Sequence, residues 1–231
     1  DRFFETSGYT MQISHEFMDT NRVFTPAYLD ELAALYHTKY SDQKLAAIIC
    51  SDDHAFNFLI KAGRDLFGRT PTVFCGVNHF EPEIINHRPE FTGVLETLDI
   101  QSTLNIALML HPEATRLVVI ADQTLVGKDK KMLFFEAARN LSRSMEIDLL
   151  DNHTMAQVQS YVERLSSSDI AVWLHFTEDS AGQFYSCHQS AEMISSHSAV
   201  PLYSFWDFHM GHGIIGGLLT SGFLQGQTAA S

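Results

Sequence analysis

Ser51-Asp52-Asp53-His54 stands where an apolar run ends and a helical pattern begins. A hydroxyl and carboxylates there either hold a polar ligand beside the free N–H groups of the helix start, or simply cap it. These residues alone leave both readings open. Gly76-Val77-Asn78 closes the next apolar run, where glycine permits a close backbone approach and Asn supplies both a donor and an acceptor. Trp206-Asp207 sets an indole beside a carboxylate, able to stack on a ligand and hold a polar or cationic group, and equally able to be a core Trp with a capping Asp. His175-Phe176-Thr177 lies on the same rim.

Other constellations carry less. Asp122-Gln123-Thr124 with Gly127-Lys128 lacks the spacing of a nucleotide loop. His209 and His212 would need a third ligand such as Asp207 and a helix to share a metal, and Gly211 and Gly213 oppose that helix, so no metal is expected. Cys50 and Cys75 with His54 suggest a thiol nucleophile, but free cysteines are commonly small buried hydrophobes. No catalytic residue and no cofactor are expected.

Strand-like runs alternating with amphipathic stretches must position these groups. Strands are expected at Met11–Met18, Leu45–Cys50, Thr72–Cys75, Phe91–Leu95, Arg116–Ala121, Glu146–Leu150, Ile170–Phe176 and Pro201–Phe205. Helices are expected at 26–40, from the Ser51-Asp52-Asp53 cap to Phe67, and at 100–110, 125–143, 154–165 and 186–197, with another beginning near Gly222. Thr25 caps the first of these helices, with Pro26 at its first position. Leu45–Cys50 is continuously apolar, as in a strand buried on both faces. The alternation implies an α/β fold with parallel sheets covered by helices. Pro82 to Pro89 breaks it with turn chemistry and marks a seam between two doubly wound lobes. Ligands of such sheets bind at loops following the strand C-termini, here beginning at Asp19, Ser51, Gly76, Asp122, Asp151, Thr177 and Trp206.

The composition narrows the function. The chain has 231 residues, 45% hydrophobic and 19% charged, enough apolar content for a packed core. Its 15 Lys and Arg against 28 Asp and Glu give a net charge of -13, which disfavours nucleic acid and anionic lipid as partners. No run reaches bilayer-spanning length, and Asp1-Arg2-Phe3-Phe4 lacks the look of a secretory signal, so the expectation is a cytoplasmic chain or a piece of something larger. Three cysteines make no disulfide framework.

Several segments together resemble the substrate-binding-protein family of ABC transporters in its sensor-fused form, the extracytoplasmic sensing domain of membrane histidine kinases and diguanylate cyclases. They are Phe17-Met18-Asp19-Thr20-Asn21-Arg22, Ser51-Asp52-Asp53-His54-Ala55, Phe74-Cys75-Gly76-Val77-Asn78, Phe91-Thr92-Gly93-Val94-Leu95-Glu96, Leu110-His111-Pro112, and Phe205-Trp206-Asp207-Phe208 with Gly211-His212-Gly213-Ile214-Ile215-Gly216-Gly217. Their collinear order over nearly the whole chain makes the resemblance specific. It implies a type I periplasmic-binding fold, two Rossmann-like lobes closing on a small ligand without catalysis. The N-terminal lobe would be 1–90, lacking its first strand. The C-terminal lobe would be mainly 91–231, with crossover segments near 91–99 and 206–222. Any membrane segment and output domain would lie outside this chain, and a homodimer stays open.

On this reading Ser51, Asp52, Asp53 and Asn78 present one half of the site. Asp122, Thr124, His175, Thr177, Trp206 and Asp207 present the other, with Glu96 near a crossover. The acids Asp52, Asp53, Glu96, Asp122 and Asp207 would repel an anion and favour a neutral-polar or amine-bearing ligand. A free-standing solute receptor is the alternative within binding. From a different class, a cytoplasmic α/β enzyme would use Asp52-Asp53 or His209-His212.

Overall fold

A computed structural model describes residues 12–20 and 22–231. The chain divides into two compact units, with the change falling between Leu95 and Glu96.

In the first unit, α1 (Pro26–Tyr40) begins as the sequence requires, with the Thr25 side chain accepting from Tyr28 N and Pro26 in the first turn. Strand β1 (Ile48–Ser51), helix α2 (Asp53–Phe67), strand β2 (Thr72–Val77), a 3-10 turn (Pro82–Ile85) and strand β3 (Phe91–Leu95) follow. The strands form a parallel sheet in the order β1-β2-β3. Phe56 from α2 is fully buried, with its ring 4.9 Å from Phe74 and 6.1 Å from Phe91. Such edge-on aromatic pairs each add about 0.5–1.5 kcal/mol beyond their buried area. Leu32, Tyr36 and Tyr40 extend the same core along α1.

Two expectations fail here. Residues 12–18 form no regular strand, while Met11 lies outside the described residues. Polar links hold that segment to α1 instead: Glu16 accepts from Lys39 and Tyr40, and Met18 O accepts from Tyr28 OH at 2.8 Å. Strand β1 is not buried on both faces either. Cys50 is buried, whereas Ile49, on the opposite face, is 59% exposed.

The second unit runs through α3 (Ile100–Leu110), β4 (Arg116–Ala121), α4 (Leu125–Ala138), β5 (Glu146–Leu150), α5 (Met155–Val162), β6 (Asp169–His175), α6 (Cys187–Ser195), β7 (Leu202–Tyr203), a 3-10 turn (Asp207–His209), β8 (Ile214–Gly216) and α7 (Gly222–Ala229). Its five-stranded parallel sheet has the order β5-β4-β6-β7-β8. Leu117 to Ala121 of β4 and Ile170 to Leu174 of β6 are buried throughout, as strands covered on both faces must be. Capping boxes start α5 at Thr154 with Gln157 and α6 at Ser186 with Gln189.

Helix α4 stops short of the expected Arg143. Asn140, Ser142 and Ser144 favour turns, and the Arg143 guanidinium turns back to donate to the His111 and Pro112 carbonyls at 2.9 and 2.6 Å. No helix among the described residues is long and apolar enough to cross a membrane.

Candidate functional site

Each unit gathers its polar groups at the C-terminal ends of its parallel strands. In the first, Ser51 ends β1 and Asp52 caps α2 with φ 82 and ψ 156, its side chain accepting from Asp53 N at 2.8 Å. A left-handed φ on a non-glycine residue is strained, and such strain recurs where loops shape a site. The Asp52 N–H donates to Cys75 O at 2.9 Å, which draws this loop against the end of β2. Gly76 allows the approach: its φ is 67, and a Cβ there would meet Ser51 Oγ and Asp52 N at 3.4 Å.

Asp53 points across to the next loop. Its Oδ1 accepts from Asn78 N and His79 N, both at 3.1 Å, and its Oδ2 from Asn78 Nδ2 at 3.3 Å. Ser51, Asp52, Asp53 and Asn78 therefore do meet, with Asp53 acting as the clasp between the two loops. Gly76 and Val77, expected in a loop, extend β2 by two residues.

In the second unit, Asp122 follows β4 and is buried. Its Oδ1 accepts from Thr124 N at 3.1 Å and Thr124 Oγ1 at 2.5 Å. Its Oδ2 accepts from Thr177 N at 2.7 Å, Thr177 Oγ1 at 3.2 Å and Glu178 N at 3.4 Å. Thr124 in turn caps α4 through Gly127 N. His175 Nε2 lies 3.1 Å from Thr177 Oγ1 and 3.8 Å from Asp122 Oδ2. Burial holds the His175 pKa below its ordinary value, outweighing the opposing pull of Asp122, while the Lys130 charge adds to the lowering.

Trp206 is buried, and its indole Nε1 donates to Glu96 Oε1 at 3.1 Å. Gln225 Nε2 donates to Glu96 Oε2 at 3.4 Å. The Lys130 ammonium sits 3.9 Å from Glu96 Oε1 and 5.2 Å from the Trp206 ring centre. The Asp207 carboxylate is half-buried and carries no hydrogen bond or ion pair among the described residues.

These contacts correct the expected acidic surplus. Lys130 offsets Glu96, and protein donors ring Asp122, so neither is a spare carboxylate for a cation. Sequence reasoning missed Lys130. Gly127, Lys130, Lys131 and Phe134 share the buried face of α4, and that helical spacing was the available signal.

His209 and His212 separate rather than converge. His209 is fully buried with Nδ1 2.8 Å from Ser204 Oγ, whereas His212 Nδ1 lies 2.6 Å from Glu192 and its ring stacks on His188 at 4.1 Å. No group of metal-ligating side chains suited to an ion occurs among the described residues. Cys50 is buried, and desolvation pushes its thiol up to about 12, the reverse of an activated nucleophile.

Neither a family model nor a curated protein matches the chain. Solved structures do. The ABC domain in complex with L-Trp from Streptococcus pneumoniae superposes with a TM-score of 0.52 at 13% identity, over 88% of this chain and 70% of that one. The branched-chain amino acid transporter substrate-binding protein from the same organism, in complex with isoleucine, gives 0.50 at 10% identity, over 84% of this chain and 53% of that one. The chain thus spans 53% to 70% of the length of these two structures. Parallel sheets, helical covering and two compact units together give the chain an α/β fold of the type I periplasmic-binding kind.

Proposed function

We propose that the chain is an extracytoplasmic solute-binding module, working by closure of its two units on a small amino acid or related amine-bearing solute, with no catalysis of its own. The observation that carries this reading is the rim of the second unit. Asp122 locks the ends of β4 and β6 together, and beside them stand an indole and the Asp207 carboxylate, which no described group neutralises. A rigid polar frame with one carboxylate left over suits an ammonium-bearing ligand. The neighbours solved with L-Trp and isoleucine support the same ligand class.

The first unit would contribute Ser51, Asp52 and Asn78, with Asp53 holding their loops, and the second Thr124, Thr177, His175, Trp206 and Asp207, positioned by Asp122 and Glu96. Closure follows from a ligand that binds one arrangement better than another. The collinear motifs favour a sensing domain tethered to a membrane through segments outside this chain, working alone or as a homodimer. The transporter neighbours favour a free-standing receptor as the second reading.

A thermal-shift panel tests the ligand class. L-isoleucine, L-tryptophan, their decarboxylated amines and simple dicarboxylates would be compared on wild type and Asp207→Asn. At a hundredfold excess over Kd, a true ligand stabilises by about 2.7 kcal/mol. The expected result is stabilisation by the amino acids that Asp207→Asn largely removes. Stabilisation by dicarboxylates alone would overturn the reading.

A further inference from the structure

His209 is fully buried within a surround of aromatic rings. Its ring centre lies 4.3 Å from Trp173, 4.3 Å from Phe208 and 6.0 Å from Trp206, all three set edge-on. Ser204, also fully buried, has its Oγ 2.8 Å from His209 Nδ1. That hydroxyl has no other acceptor among the described residues, so it donates to Nδ1 and leaves the ring proton on Nε2. His209 Nε2 is itself buried and has no hydrogen-bond partner among the described residues. A buried N–H donor left without an acceptor is uncommon in folded proteins and calls for a partner.

We propose that His209 is the specificity-determining donor of the second unit, its Nε2–H taking a carbonyl or carboxylate oxygen of the bound solute. This assignment rests on the solute-binding reading above. Phe208, 44% exposed, packs edge-on against the His209 ring, and on this assignment its rotation would admit a solute to that ring. Burial and the neighbouring histidines keep the ring neutral, which preserves the hydrogen bond from Ser204 and fixes the tautomer. Asp207 and His209 then read opposite ends of one ligand. The carboxylate meets the ammonium, and the N–H, which an ammonium cannot satisfy, meets the oxygen.

The test uses the full chain labelled with 15N-histidine and titrated with L-isoleucine and L-tryptophan, alongside calorimetry of wild type, His209→Phe and His209→Gln. The expected result is a downfield move of the His209 Nε2–H resonance on binding, an affinity at least tenfold weaker in His209→Phe, and partial recovery in His209→Gln, which retains an N–H donor. Binding by wild type with that resonance unmoved, or binding by His209→Phe within twofold of wild type, overturns the assignment and leaves the solute-binding reading standing. No binding of either amino acid by wild type removes both. If His209→Phe does not fold, the wild-type titration decides alone.

Discussion

Asp122 and His209 are both buried beside strand ends, but their hydrogen-bond surroundings differ. Five protein donors reach the Asp122 carboxylate, so its charge stays compensated and ties the loop after β4 to the loop after β6. His209 has one neutral hydroxyl and three nearby histidines, and desolvation lowers its pKa from 6.5 to about 4. The unfolded chain therefore binds a proton between those values that the folded chain refuses. His209 stabilisation is complete above pH 6.5 and drains away as pH falls toward 4, by up to about 3 kcal/mol. His175, also lowered by burial, acts in the same direction. Urea unfolding at pH 7.5, 6 and 5 should show this loss in wild type and a shallower one in His209→Gln. Equal pH slopes in the two proteins would show that His209 titrates normally in the fold.

Helix α4 shows how a site group can set the tolerance of an element. Alanine normally stabilises a helix interior over glycine by about 1 kcal/mol. At position 127 the sign reverses, because a methyl group would overlap Asp122 Oδ1 and the Asp122 carbonyl. Gly127→Ala should thus destabilise by about 1–3 kcal/mol, the range for overpacking. Calorimetry would read this as a lower Tm, and an unchanged or higher Tm would mean that the Asp122 clamp yields easily. The start of α4 was legible in the sequence because capping is local, and so were the starts of α1, α5 and α6. What Asp122 does was not legible, since its partners at 177 and 178 arrive through the strand order β4-β6. Strand β8 escaped notice for a related reason. Three residues ending in glycine carry no periodicity, and only pairing with β7 makes them a strand. Of the candidate site, residue types and strand-end placement could be read in advance. Charge balance could not, because Lys130 reaches Glu96 only through tertiary packing.

The two units have unequal cores, and their stabilities should differ accordingly. The second joins both faces of a five-stranded sheet into one large apolar cluster that includes Trp173, Phe134 and Tyr203. The first rests on a three-stranded sheet whose edge strand leaves Ile49 largely exposed. Less apolar area leaves water there on folding, so the opening free energy of the first unit should be the lower. The chain carries its own reporters for the difference. Cys50 and Cys75 are buried in the first unit, whereas both tryptophans, Trp173 and Trp206, belong to the second. Cys50 is doubly protected while folded, by burial and by a thiol pKa near 12, so a disulfide reagent at pH 8 reaches it only when the unit opens. In a Cys187→Ser background, thiol labelling on heating should run ahead of the tryptophan fluorescence change by several degrees. Coincident transitions would mean that the whole chain unfolds as one cooperative body, and that the smaller core draws its stability from the larger.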